Sequence, residues 1–214
     1  MKKTTLAIFL IILLSFAVGV YFYRQMPDKM VSHWNARGEA DGHMPKFWGL
    51  FLMPIISVVM ALLFFTFPKI DPLKENVKKF RKYFDAFILL ILLFLFYLYL
   101  LTIFWNRGMR FNFIFALVPS FAILFYYLGV LVEHAERNWF IGIRTPWTLS
   151  NDEVWQKTHK IGGKLFKVAG IIALLGIIFP NYAFFFVIFP VIVVSIYTAI
   201  YSYFEYRKVI CLKK

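Results

Sequence analysis

Six long apolar runs constrain what this chain can become. They fall at residues 5–23, 47–67, 84–105, 111–132, 165–179 and 182–204. A helix needs about 20 apolar residues to cross a hydrocarbon core about 30 Å thick. Five of the runs are near that length; the fifth is short and is expected to extend N-terminally through a polar lead-in. Apolar side chains make up 61% of the 214 residues and charged ones 16%, against about 45–50% and about 25% in soluble domains. That apolar content excludes disorder. The runs do not alternate polar with apolar, which excludes a transmembrane β-barrel. The expected fold is an all-α integral membrane protein, a multi-pass protein of the cell membrane. Its six transmembrane helices would form three hairpins.

The net charge of +13 has its cheapest explanation in topology. The N-terminal tail holds two basic residues, 68–83 six, 133–167 six and the C-terminal tail four, whereas 24–46 holds four, 106–110 two and 180–181 none. An excess of Lys and Arg marks cytoplasmic connections, so both termini are expected in the cytoplasm and no nucleic-acid partner is implied. The first run has Lys2 and Lys3 ahead of it but no small-x-small cleavage site after it, so it reads as a retained anchor. The expected organisation is a first helical hairpin over 1–68, with an extracytoplasmic loop 24–46. A four-helix domain over 69–214 follows, with a cytoplasmic motif 133–163.

No ionisable side chain lies near the middle of any run, and Asp85, Lys164 and Lys167 fall at run ends. Ion-coupled transporters usually carry their coupling group at depth. Pro54, Pro119 and Pro190 each fall about eight residues into a run. They read as tolerated kinks whose freed carbonyls find other donors.

Two polar stretches remain as candidate sites. The outer loop carries Met30, His33, Trp34, Asn35, Gly38, Asp41, His43, Met44 and Lys46. Trp and Met are not normally left in solvent, so the loop is expected to fold over the outer mouth of the bundle as a contact surface. His33 and Asp41 then tie it into shape; a divalent metal on His33, Asp41 and His43 is the minority reading. In the inner stretch, Ser150 and Glu153 have capping-box spacing. A helix from there sets Trp155, His159, Gly162 and Phe166 on one face, expected to ride along the membrane interface. Arg144, between Trp139 and Trp147, is expected to be held by several contacts or to clamp an anion. Glu133, His134, Glu136 and His159 share the inner side but match no catalytic spacing. No nucleotide loop, Gly-x-Ser-x-Gly elbow or paired cysteine is present; Cys211 is the single cysteine. An enzyme is therefore not expected, nor is any cofactor.

The run Asn138-x-x-x-Gly142-Ile143-Arg144-Thr145-Pro146-Trp147-Thr148, followed by Asp152-x-x-Trp155-x-x-x-His159, resembles the signature of the SdpI-like (sporulation-delaying-protein immunity) family. The outer pattern Pro27, His33-Trp34-Asn35-x-x-Gly38-x-x-Asp41-Gly42 and Lys46 is similar to the domain of unknown function that precedes that signature. Ser32 and Lys160 depart from residues frequent there, proline and arginine. The resemblance implies a membrane immunity protein whose relatives protect a cell against a secreted toxic peptide and can hold an autorepressor at the membrane. Its implied partners are membrane lipids, an extracellular antimicrobial peptide and a cytoplasmic transcriptional repressor. Rival classes are a permease-like channel or transporter for small solutes and, more weakly, a metal-dependent membrane hydrolase.

Overall fold

The computed structural model describes residues 2–211, the side chain of Lys2 excepted. Lys213 and Lys214, counted above with the basic tail, lie outside the described residues. The apolar runs become helices with little else available to them, because a chain in hydrocarbon must satisfy its amides within each segment. In order they are α1 (Lys2–Phe22), α2 (Lys46–Ile70), the short α3 (Lys74–Lys79), α4 (Arg81–Asn106), α5 (Phe113–His134), α6 (Pro146–Ser150), α7 (Asp152–Ala173), α8 (Leu175–Ile178) and α9 (Ala183–Cys211). Six helical stretches among the described residues are long and apolar enough to cross a membrane. The fifth runs from Asp152 to Ile178 through a break at Leu174, so the expected N-terminal extension is present. It carries Lys164 and Lys167 into the body of the helix, away from the end where the apolar run alone would set them. Lys167 pairs there with Glu133 of α5.

The helices pack as two groups. α1, α2 and α4 contact one another, α5, α7 and α9 do the same, and α4 joins the groups along α5. The α5–α7 seam is the tightest, because small residues let the backbones meet. A Cβ on Gly129 would sit 2.5 Å from the Gly163 carbonyl oxygen, and one on Gly170 would sit 2.7 Å from the Ala122 carbonyl oxygen. The three prolines lie inside α2, α5 and α9. Near Pro119, the Tyr97 hydroxyl reaches across from α4 and donates to the Ala116 carbonyl at 2.9 Å.

The outer connection is a β-hairpin where the sequence suggested a folded loop. β1 (Lys29–Trp34) pairs antiparallel with β2 (Ala40–Pro45), with irregular register around His33. The alternation that would have signalled strands is blurred by Gly42 and by that irregularity. Met30 is fully buried beneath the hairpin against Leu50, Tyr99 and Ile103, seated over Gly49.

Candidate functional site

Two constellations stand at opposite ends of the helices, named outer and inner after the orientation expected from the basic connections. In the outer one, Asn35 builds the turn. Its side-chain oxygen accepts from the Arg37 and Glu39 amides, and its amide donates to the Glu39 carboxylate. Gly38 takes φ +81°, a conformation that costs a glycine little, and its N–H donates to the Asn35 carbonyl. His33 Nδ1 and Asp41 Oδ1 share a 2.5 Å hydrogen bond across the strands, largely in solvent. Lys46 pairs with Asp28 at 2.8 Å and lies over the Tyr23 ring. The Lys46 ammonium beside Asp28 holds its carboxyl below the usual carboxylate range.

Helix ends clamp this hairpin. The Asn106 side chain accepts from the Val31 amide and donates to the Val31 carbonyl, doing for this edge strand what a paired strand would do. Asn112 donates to the Arg37 carbonyl while capping α5. Trp34 stacks flat on Phe113, centroids 3.7 Å apart, and meets Trp105 edge-on. His43 stands exposed on β2 opposite Val31. The structure thus brings His33 and Asp41 together. Among the described residues, however, no three His, Cys, Asp or Glu side chains gather closely enough to hold a metal ion, the set of His33, Asp41 and His43 included.

The inner constellation is a latch of buried polar groups. Asn138, fully buried, folds its own loop: its oxygen accepts from the Phe140 and Ile141 amides, and its NH2 donates to the Glu136 and Ile141 carbonyls. Gly142 follows with φ +112°, and a Cβ there would lie 2.4 Å from His159 Nε2. That approach lets the Ile143 amide donate to His159 Nε2 at 3.0 Å. The other ring nitrogen lies 2.9 Å from the Trp155 carbonyl, so it carries the proton and the imidazole is neutral. The ring stacks on Trp155, whose indole N–H donates to the Ala135 carbonyl at 2.6 Å.

Thr145, Pro146 and Thr148 then start α6. Thr145 and Thr148 form a reciprocal capping box, Pro146 takes the first turn, and the Thr145 hydroxyl meets Ser202 of α9 at 2.9 Å. Trp147 packs edge-on against Tyr203. Three expectations change here. Ser150 does not cap α7, because α6 has absorbed it; Asn151 does, accepting from the Glu153 and Val154 amides. The Trp155, His159, Gly162 and Phe166 face is buried inside the bundle, away from the interface, because its polar atoms find partners on the 135–143 loop. Arg144 is exposed, with one hydrogen bond, to the Trp139 carbonyl at 2.8 Å.

The guanidinium that ties the loop is Arg137, which reaches the Leu149 carbonyl and pairs with Asp152 at 2.6 Å. Asp71 and Asn76, absent from the residues singled out above, also hold the motif. Asp71, buried, accepts from the Leu73 and Trp139 amides, and Asn76 donates to the Arg137 carbonyl. An Asp three residues before a short helix is the local signal that could have drawn attention to it.

A polar cavity of about 410 Å³ opens beside the latch, lined by Glu133, His134, Glu136, Gln156, His159 and Lys160. Glu133 is taken by Lys167, His134 bonds the Val130 carbonyl and stacks on Tyr83, and both ring nitrogens of His159 are committed. Three of the ionisable groups that line the cavity are therefore already held by partners within the chain.

Residues 134–202, from the end of α5 through most of α9, match the SdpI/YfhL protein family. Over that third of its length the chain resembles the SdpI/YfhL family. Residues 10–58, which hold the outer hairpin, match a domain of unknown function, DUF1648. Over 209 residues the chain is 28% identical to the "Immunity protein SdpI" of Bacillus subtilis (strain 168), covering 97% of this chain and 98% of that protein. No solved structure matches it. In this membrane protein the segment similar to the SdpI/YfhL family contains the latch, and the DUF1648 match ends midway along α2.

Proposed function

We propose that the protein is a membrane immunity protein that meets a secreted toxic peptide at its outer hairpin. The observation that carries this reading is the near full-length similarity to an immunity protein. The hairpin's character supports it. Its base is fixed by Asn106 and the Trp34–Phe113 stack, while His33, Arg37, Glu39 and Asp41 stay exposed on a rigid support. A surface ordered beforehand loses little entropy when a peptide docks. With both termini in the cytoplasm, as the basic connections indicate, the latch faces inward and Arg144 is its outward-directed cation. It is then the residue offered to a cytoplasmic repressor, and binding outside would be relayed through α5 and α7. The test is expression in a peptide-sensitive host, scored by survival. Wild type should protect, and a chain with 28–44 replaced by a short Gly/Ser turn should insert but not protect. Equal survival with and without the hairpin overturns the reading.

A further inference from the structure

We propose that the groove between α7 and α9 is a site for an anionic glycerophospholipid, with the phosphate between Lys160 and Lys164 and an acyl chain lying along the groove. Two clefts carry it. The first is basic, about 200 Å³, and lined by Lys157, Lys160, Ile161, Lys164 and Tyr201. The second is apolar, about 380 Å³, and lined by residues of the same two helices, among them Leu165, Val168, Ile172, Phe186 and Val194. Along α7, positions 157, 161, 164, 168 and 172 recur at helical spacing, and along α9 so do 186, 190, 194, 197 and 201. The clefts therefore lie end to end on one face of the helix pair. Lys164 is the last basic residue on this face before the apolar positions of α7, and its aliphatic stem can carry the ammonium out to headgroup level.

Charge in the basic cleft is not balanced internally. Lys157 is spoken for, pairing with Glu153 at 2.9 Å and with Glu205 at 3.4 Å, and Lys208 also holds Glu205. Among the described residues, neither Lys160 nor Lys164 pairs with a carboxylate, and both are exposed. Two ammonium groups one helical turn apart, beside the Tyr201 phenol at the mouth of an apolar trough, match a phosphate diester carrying acyl chains. Basic pockets between membrane helices take anionic headgroups in this way. The neighbouring lipid is the occupant always at hand in a bilayer.

The experiment uses the full-length protein in nanodiscs of phosphatidylglycerol or of phosphatidylcholine, with thermal unfolding and native mass spectrometry of retained lipid as readouts. Wild type should unfold at higher temperature in phosphatidylglycerol and retain it preferentially. The double variant Lys160→Gln/Lys164→Gln should lose that preference by roughly thirtyfold, at about 1 kcal/mol for each of the two basic side chains near the surface, and should match wild type in phosphatidylcholine. Lys160→Arg/Lys164→Arg should keep the preference. Val168→Trp, which fills the apolar cleft with both lysines intact, should lower lipid retention and serves if the double variant does not fold. No preference in wild type, or a preference undiminished in the double variant or in Val168→Trp, overturns the proposal. So does full stabilisation of detergent-solubilised protein by glycerol 1-phosphate, which would make the ligand a free phosphate ester.

Discussion

The hairpin and the latch are both small polar structures set on helix ends, and both are organised by an asparagine that folds its own turn. They differ in where their polar groups point. Around Asn138 the amides, the His159 ring and the threonine hydroxyls bond inward and are buried. Around Asn35 the organising bonds are exposed, and burial comes from Met30 and the stacked Trp34 beneath. A buried network is costly to leave incomplete, whereas an exposed turn tolerates change. The two matched segments therefore hold a buried polar lock at one end of the molecule and an exposed turn at the other.

Breaking the latch should have the largest effect. Gly142→Ala forces a side chain into a left-handed conformation and into His159 Nε2; about 3 kcal/mol or more should be lost, read as thermal unfolding of detergent-solubilised protein. A small loss would mean that the latch is looser than its bonds suggest. His159→Ala leaves the Ile143 amide without its acceptor and should cost about 1–3 kcal/mol, again with protection lost only in proportion to folded protein.

Trp34→Ala probes the other side of the comparison. It removes a half-buried stack, so stability should fall by about 1–2 kcal/mol, while survival of the sensitive host should fall more than the amount of folded protein does. Proportional losses would make the hairpin a structural element like the latch. Arg144→Ala should change stability by no more than about 0.5 kcal/mol, since it makes one exposed hydrogen bond. Protection or repressor recruitment lost at normal stability would identify it as a partner contact.

The smallest effect belongs to the Asp28–Lys46 pair. The Asp28 carboxyl is held below its usual range in the folded chain, so its contribution is present above the unfolded value and fades as pH falls through the folded one. Hydrogen exchange at the Lys46 amide should rise relative to the Asn106-clamped Val31 amide only on acidification below about pH 4. Exchange rising equally at both sites would show the hairpin opening as one unit.

Legibility in the sequence followed the range of the forces involved. Apolar runs of bilayer length specify helices one at a time, which is why six spans could be drawn with most ends shifted by a few residues, although the sixth runs on seven residues past 204 to Cys211. The exception was the fifth, where Trp155, His159 and Gly162 belong to a buried face that only its neighbours make dry. The identity of the cap was also open: Ser150 has the right spacing, but Pro146 and Thr145 start a helix that consumes it.

By itself the sequence determined membrane immersion, the helices, the places where the chain must turn and the two polar stretches worth attention. The tertiary structure decided which polar groups are spent and which remain on offer. His159 is spent because the Gly142 loop brings the Ile143 amide to its ring, and Arg144 remains because Arg137, Asp71 and Asn76 already hold that loop. Those partners lie up to 68 residues apart in sequence. Spacing along a helix or strand encodes a face, but a hydrogen bond between distant segments depends on how those faces dock.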